Sequence, residues 1–113
     1  MEHRITREEL SSLLASARPP LLLEALPAKY FEDSHLPGAR NMPHDAVAEL
    51  APALAPDKAA PIVVYCANAA CQNSHIAAAR LKQLGYTDVR VYAQGKQDWL
   101  EAGLAVERSA VTA

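Results

Sequence analysis

The sequence predicts an α/β domain, built from a small and mostly parallel sheet with helices on both of its faces. Short apolar segments typical of buried strands alternate along the chain with segments that have the apolar spacing of helices. Parallel strands need long crossover connections, and the intervening helices can supply them. The length of 113 residues fits a single domain, 1–113, with its core over about residues 5–107 and a C-terminal tail over 108–113.

The N-terminal part of the chain begins with a helix. Thr6 and Glu9 have the spacing of a capping box, so we expect a helix to begin there and to end near Ser16. The largely apolar run over residues 21–25, which includes Glu24, is too short for a core helix and predicts a buried strand. A short helical turn is expected to begin at Pro27.

The middle of the chain is expected to hold a turn, an extended piece and a second full helix. Proline and glycine mark a turn over residues 35–39, and residues 40–42 form a brief extended segment. A helix is then predicted from about Ala46 to Leu54, because the spacing of the apolar residues places them on one face of a helix. Its expected N-cap is His44 or Asp45.

The C-terminal half alternates strands with helices. Residues 61–65 are largely β-branched and uncharged, which predicts the most buried strand of the protein. A helix capped by Ser74 is expected to end at Gly85, followed by a strand over residues 88–92. The final helix follows a turn at residues 94–95.

Composition and charge argue against several classes of function. Lys and Arg number 11 against 13 Asp and Glu, with no basic cluster, so we expect no nucleic acid partner. The apolar stretches are far shorter than the roughly 20 residues of a membrane span, and the charged N-terminus lacks the apolar centre of a secretion signal. We therefore expect no membrane partner and a cytoplasmic protein.

A candidate nucleophile, Cys66, directly follows the predicted buried strand. Ligands of parallel α/β sheets bind at the carboxyl ends of the strands, where Cys66 falls. The loop after it leads into a helix N-terminus, whose unpaired N–H groups favour an anion and lower the pKa of a thiol. The candidate loop residues are Ala67, Asn68, Ala69, Ala70, Cys71, Gln72 and Asn73. The alternative is that Cys66 is a small buried hydrophobic residue that ends a strand.

Cys71 is the second of two cysteines, and three interpretations of it stay open. It is a candidate resolving thiol for Cys66, an incidental loop residue, or half of a metal site. The metal interpretation is disfavoured, because the spacing lacks the common C-x2-C clasp and neither His44 nor His75 stands at a motif spacing. We therefore predict no metal and no cofactor.

Five motifs occur together and in order along the chain. They are His35-Leu36-Pro37-Gly38-Ala39, Val64-Tyr65-Cys66, Ser74-x-x-Ala77-Ala78-x-x-Leu81, Leu84-Gly85-Tyr86-Thr87-Asp88-Val89 and Gly95-x-x-x-Trp99-x-x-Ala102-Gly103-Leu104. This set, which covers about Ile5 to Glu107, resembles the rhodanese domain in its single-domain sulfurtransferase form.

The resemblance implies a thiosulfate-type sulfurtransferase. The family's nucleophile falls on Cys66, which would take a sulfane sulfur from a thiosulfate-like donor, hold it as a persulfide and pass it to cyanide or a thiol. A thiol protein is a further candidate acceptor. The family's substrate cradle falls on the backbone of residues 67–73, and Gln94 and Gly95 would lie beside it. Two alternatives keep the fold: a redox or sulfur-relay module that uses Cys66 with Cys71, and a non-catalytic binding domain.

The chain also departs from the family pattern. Glu24-Ala25-Leu26 stands where the family commonly has Asp-x-Arg, so a buried arginine interaction is absent. The loop before Ser74 is longer than the family's usual form, and Asn73 replaces the arginine that often precedes that serine. Phosphatases of this fold need that arginine to bind phosphate, so phosphatase activity is disfavoured. An anion would be held mainly by backbone N–H groups, with His75 as an additional candidate.

Overall fold

The computed structural model describes residues 2–108, so residues 109–113 of the predicted tail lie outside the described part. No helix in the described part is long and apolar enough to cross a bilayer. The helices and strands are β1 His3–Arg4, α1 Arg7–Leu14, β2 Leu21–Glu24, α2 Ala28–Asp33, β3 Arg40–Asn41, α3 Val47–Leu54, β4 Ile62–Tyr65, α4 Asn73–Gln83, β5 Val89–Tyr92 and α5 Gly95–Glu101.

The strands form one five-stranded sheet in which every neighbouring pair is parallel. Their order is β1-β5-β4-β2-β3, so β4 lies in the centre. Val63 of β4 is in register with Leu22 of β2 on one side and with Arg90 of β5 on the other. The carboxyl ends of all the strands therefore meet at one edge of the sheet, and the predicted α/β class is confirmed.

Buried side chains cover both faces of this sheet. Successive residues of a strand point to opposite faces, and Val63 and Val64 accordingly belong to two different core clusters. The cluster of Val64 includes buried residues of α3 and α4, whereas that of Val63 includes Leu10 of α1 and Trp99 of α5. Helices therefore pack on both faces, as the sequence predicts.

The capping box and the two main apolar strands are confirmed. The Thr6 hydroxyl accepts a hydrogen bond from the Glu9 N–H at 3.1 Å, and the Glu9 carboxylate accepts one from the Thr6 N–H at 2.9 Å. The helix that follows ends at Leu14, earlier than expected. The strands predicted at residues 21–25 and 61–65 are β2 and β4, and every residue of β4 is buried.

Two predicted N-caps are wrong. Ala46 occupies the cap position of α3 without a side-chain hydrogen bond, so neither His44 nor Asp45 caps that helix. α4 begins at Asn73, so Ser74 lies inside its first turn instead of before it. Ser74 is only 1% exposed, and a side chain that faces the core in this way does not cap the free N–H groups of the helix.

One strand, β1, is absent from the prediction. It has two residues, which is too short for an alternating apolar pattern to show in the sequence. Pairing with β5 creates it: His3 and Arg4 align with Arg90 and Val91, and the Ile5 N–H donates to the Val91 carbonyl at 2.9 Å. β1 thus depends on a partner distant in the chain.

Candidate active site

Cys66 is the first residue after the central strand β4, at the edge of the sheet where the carboxyl ends meet. The strand is held in place up to this point, since the Ala25 N–H donates to the Tyr65 carbonyl at 2.9 Å. The Cys66 residue is 1% exposed. The position expected from the sequence is therefore observed, and the sulfur sits on a rigid element at the base of the loop.

The start of α5 packs directly against the Cys66 loop. The Lys96 N–H donates to the Cys66 carbonyl at 2.9 Å, and the Gln97 N–H donates to the Ala67 carbonyl at 2.8 Å. Gly95 has φ of +73°, and a Cβ added there would lie 2.7 Å from the Cys66 carbonyl oxygen. Gly95, which the resemblance places beside the loop, is thus in contact with it, at a distance that only glycine allows.

This contact also orients the N–H groups of the loop. In a trans peptide the C=O and N–H groups point in opposite directions. Because the Cys66 and Ala67 carbonyls point at α5, the N–H groups of Ala67 and Asn68 point away from it. Within residues 2–108 no acceptor is paired with the N–H groups of Ala67, Asn68 and Ala69. These three N–H groups, together with those of Gln72 and Asn73 at the start of α4, which also have no acceptor within residues 2–108, are the donors that the loop offers to an anion.

Two further N–H groups of the loop are satisfied internally. The Asn68 carboxamide oxygen accepts hydrogen bonds from the N–H groups of Ala70 at 3.0 Å and Cys71 at 3.1 Å. A side-chain oxygen thus occupies the position on these donors that an anion would need. The sequence pattern of small residues predicts a curled loop. It does not show that the Asn68 side chain accepts hydrogen bonds from two of the loop N–H groups.

Cys66 and Cys71 are joined in a disulfide, with their Cα atoms 6.3 Å apart. Cys66 is buried, whereas Cys71 is partly exposed. Neither cysteine is a free thiol in this state of the molecule. The structure therefore brings the candidate nucleophile and the candidate resolving thiol into direct contact.

In residues 2–108 no group of three His, Cys, Asp or Glu side chains is arranged to hold a metal ion.

A small open cavity of about 200 Å³ lies beside the loop. Its lining is polar and includes two carboxylates but neither lysine nor arginine: Asn68, Ala69, Gln94, Gln97, Asp98 and Glu101. A larger groove of about 540 Å³ runs along α1, and its lining contains no residue of the Cys66 loop. The small cavity therefore adjoins the loop at Asn68 and Ala69, on the side of α5, and Cys66 itself is not part of its lining.

Asp98 in the lining of this cavity is already paired. Arg7 donates to one of its carboxylate oxygens at 2.9 Å, and the Tyr92 hydroxyl donates to the other at 2.5 Å. Burial, together with the hydrogen bond to Asp98, raises the pKa of Tyr92 above its usual value. Arg7 thus compensates the charge of Asp98.

A buried ion pair lies beneath the same edge of the sheet. Glu24, at the end of β2, is 0% exposed, and its Oε1 atom lies 3.1 Å from the Lys96 ammonium. The Tyr65 hydroxyl donates to the same oxygen at 2.7 Å, while Oε2 has no partner in the described part of the chain. Burial raises the pKa of Glu24, although the Tyr65 hydrogen bond and the Lys96 charge act to lower it.

Lys96 is the residue of this site that the sequence analysis misses. With Leu26 in place of the family's arginine, the sequence names no cationic partner for Glu24, and Lys96 supplies one from α5. An acidic residue inside a buried strand was the available signal, since a buried carboxylate needs a hydrogen-bonded or charged partner. The sequence alone does not say from which element that partner comes.

His75 lies in the first turn of α4 and is paired with the N-terminal segment. Its Nδ1 atom is 2.7 Å from a Glu2 carboxylate oxygen. Burial acts to raise the pKa of Glu2, but the hydrogen bonds from His75 and Arg4 lower it overall. One ring nitrogen of His75 is therefore already engaged. The nearby Ser74 hydroxyl is buried without a hydrogen-bond partner in the described part of the chain.

The parallel sheet, the strand-end cysteine and the loop that leads into a helix define a known class of domain. A family model described as the Rhodanese-like domain matches residues 6–102. The match spans most of the chain, and the chain therefore belongs to the rhodanese-like domain family.

Solved structures with this fold include named sulfurtransferases. A thiosulfate sulfurtransferase from Pseudomonas aeruginosa is similar at 28% identity and a TM-score of 0.83, over 94% of this chain and 20% of that one. A human single-domain sulfurtransferase is similar at 26% identity and a TM-score of 0.76, over 89% of this chain and 97% of that one. The chain thus spans about a fifth of the Pseudomonas protein and nearly all of the human one.

The Rhodanese-like domain of the Alr3790 protein from Anabaena sp. is similar at 26% identity and a TM-score of 0.82, over 100% of this chain and 86% of that one. A search of curated protein sequences gave no significant match.

Proposed function

We propose that the protein is a sulfurtransferase that moves a sulfane sulfur from a thiosulfate-like donor to a thiophilic acceptor through a persulfide on Cys66. The observation that carries the proposal is the position of Cys66, buried at the carboxyl end of the central strand and directly before three loop N–H groups that lack acceptors within residues 2–108. Membership in the rhodanese-like family, with sulfurtransferases among the similar structures, supports the same reaction class.

The proposed reaction has two steps. The Cys66 thiolate attacks the outer sulfur of the donor, a new S–S bond forms on Cys66, and the S–S bond of thiosulfate breaks with release of sulfite. The terminal sulfur then passes to cyanide or a thiol, and the Cys66 thiolate returns. Negative charge stays near the same sulfur throughout. The N–H groups of Ala67, Asn68 and Ala69 would stabilise that charge without a cationic side chain.

The first test is the intact mass of the reduced protein after treatment with thiosulfate. We expect the mass to rise by one sulfur atom and to return to its starting value on addition of cyanide, with thiocyanate as the product. Cys66→Ser removes the nucleophile and should abolish both the mass increase and thiocyanate release. Retained turnover in Cys66→Ser contradicts the proposal. A wild-type protein that gains no sulfur from any thiosulfate-like donor favours a non-catalytic binding domain instead.

The disulfide favours a second candidate, a redox or sulfur-relay module. In this reaction the Cys71 thiolate attacks the Cys66 sulfur of the persulfide, the outer sulfur leaves as hydrosulfide, and the Cys66–Cys71 disulfide forms. An external dithiol, such as that of a thiol protein, would then reduce the disulfide and become oxidised itself. The partly exposed Cys71 is the sulfur that such a reductant would reach first.

One variant separates the two candidates. Cys71→Ser should preserve thiocyanate formation if Cys66 works alone. It should abolish sulfide release that depends on a dithiol reductant if the pair works as a relay. Mild oxidation of the reduced wild-type protein should lower its intact mass by two hydrogen atoms, and an unchanged mass contradicts the relay.

A further inference from the structure

We propose that Lys96 is a positioning residue for the Cys66 loop. The main-chain N–H of Lys96 holds the loop, and a buried ion pair fixes the Lys96 side chain. The inference rests on the proposed function, because it concerns how the loop presents its N–H groups to the reacting sulfur. Two observations on one residue carry it. The Lys96 N–H donates to the Cys66 carbonyl at 2.9 Å, and the Lys96 ammonium lies 3.1 Å from the Glu24 carboxylate.

The side chain of Lys96 is fixed at its far end. Lys96 is 8% exposed, and its ammonium donates to the Tyr30 carbonyl at 3.0 Å and to the Ser34 carbonyl, in addition to its contact with Glu24. These partners match the three donors of an ammonium group. They join the end of β2 and the segment around α2 to the first turn of α5.

The main chain around Lys96 then holds the loop at the proposed nucleophile and at the residue after it. The Gln97 N–H donates to the Ala67 carbonyl at 2.8 Å, and Gly95 approaches the Cys66 carbonyl too closely for any Cβ. Because two consecutive loop carbonyls point at α5, the N–H groups of Ala67 and Asn68 point the other way. The direction of these donors therefore depends on where the first turn of α5 is held.

The contact between the Lys96 side chain and Glu24 depends on the charges of both groups. A buried carboxylate with one unpartnered oxygen is stabilised by the Lys96 ammonium, and an uncompensated charge would remain if either partner were removed. The ion pair thus couples the end of β2 to the start of α5. A neutral side chain of similar length at position 96 would fill the same space but would lose this coupling.

The test compares Lys96→Met with Lys29→Met, in which an exposed lysine of α2 is changed in the same way. Both are made in a Cys71→Ser background, so that Cys66 carries the only thiol. The Cys66 thiol is titrated by the ultraviolet absorbance of its thiolate, and the rate of persulfide formation is measured with thiosulfate. We expect Lys96→Met to raise the pKa of Cys66 and to slow persulfide formation roughly tenfold to hundredfold. Lys29→Met should match its parent.

Two measurements separate positioning from folding. Glu24→Gln combined with Lys96→Met leaves no unpaired buried charge, so this double variant should recover thermal stability while the slow reaction and the raised thiol pKa persist. In the wild-type protein, hydrogen exchange at the Lys96 amide should be slow, because that N–H holds the Cys66 carbonyl. Exchange as fast as at an exposed loop amide overturns the proposal without any variant.

The proposal is also overturned if the double variant reacts and titrates as its parent does. The thiol titration needs no sulfur donor. A parent protein that forms no persulfide would therefore contradict the proposed function, whereas an unchanged thiol pKa in Lys96→Met would contradict the role of Lys96.

Discussion

Asn68 holds the tip of the Cys66 loop with its own carboxamide oxygen. That oxygen accepts the N–H groups of Ala70 and Cys71, and the neighbouring N–H groups of Ala67 and Asn68 point away from α5. Two N–H groups of the loop are therefore bonded to the Asn68 side chain, whereas those of Ala67 and Asn68 have no acceptor within residues 2–108. A charge placed on the Asn68 side chain would lie next to the N–H groups that would bind the proposed anionic substrate.

We expect Asn68→Asp to raise the KM for thiosulfate about tenfold at low ionic strength, which corresponds to about 1.4 kcal/mol of charge repulsion. A carboxylate can accept the same two hydrogen bonds, so the loop should keep its shape. Steady-state kinetics at low and high salt provide the measurement, and added salt should reduce the effect. Gln83→Glu adds the same charge at the exposed end of α4 as a control. An unchanged KM for Asn68→Asp would show that the anion does not approach this loop.

Glu24 is a buried carboxylate whose pKa is raised above the usual value of 4.5, mainly by burial. Ionisation of Glu24 therefore costs more free energy in the folded protein than in the unfolded chain. The contribution of Glu24 to the free energy of unfolding is greatest below the unfolded-state pKa and declines as the pH rises through the higher folded-state pKa.

Glu24→Gln removes this titration. The unfolding free energy of the wild type minus that of Glu24→Gln should fall with rising pH, by about 1.4 kcal/mol for each unit by which the pKa is raised. Urea denaturation over a series of pH values provides the measurement. Glu9→Gln serves as an opposite control, because hydrogen bonds from Thr6 lower the pKa of Glu9, and its contribution should be lost as the pH falls. A Glu24 difference that rises with pH would refute the assignment.

The first turn of α5 packs directly against the Cys66 loop. Two of its N–H groups hold loop carbonyls, and its first residue, Gly95, has a positive φ and no room for a side chain. The fit between α5 and the loop is therefore a backbone fit, which no rotamer change can relieve.

Gly95→Ala should disrupt the loop as well as the helix start. The added Cβ would lie 2.7 Å from the Cys66 carbonyl oxygen and 2.9 Å from the Asn68 nitrogen. Gly103→Ala is the matched control, since Gly103 has a similar φ of +76° but nothing within 4 Å of an added Cβ. Both variants should lose about 1 kcal/mol or more of stability from the backbone conformation. Only Gly95→Ala should also slow persulfide formation at Cys66, and equal activity of the two variants would contradict the close approach.

The whole domain is stabilised by two clusters of aliphatic and aromatic side chains, one on each face of the central sheet. β4 contributes to both clusters because alternate residues of a strand face opposite sides. β2, which carries Glu24 at its end, is paired along its full length with β4. The packing of this core therefore holds in place the edge of the sheet at which Cys66 lies.

Leu23→Ala should lower the free energy of unfolding by about 2–5 kcal/mol, because Leu23 is 0% exposed and its loss leaves a cavity. Leu100→Ala provides the matched control, since Leu100 is 45% exposed, and its effect should stay within about 0.5 kcal/mol. Chemical denaturation gives both values. Equal losses in the two variants would show that β2 does not belong to the core.

Much of the fold follows from local patterns. The Thr6 capping box, the apolar runs that become β2 and β4, and the position of Cys66 at a strand end depend on residues close together in the chain. Hydrophobic periodicity and capping act over one or two turns of chain, so the sequence shows them directly. A mostly parallel sheet with helices on both faces then follows from the alternation of these elements.

The contacts that shape the site join residues far apart in the chain. Glu24 meets Lys96, β1 forms only against β5, and the first turn of α5 fits the Cys66 loop. Ser74 faces the core instead of capping α4, since packing against the sheet overrides local capping preference. Burial, register and close backbone approach arise only when the elements pack together. Local pattern therefore determined the elements and the position of Cys66, the proposed nucleophile, and tertiary packing decided which groups surround it.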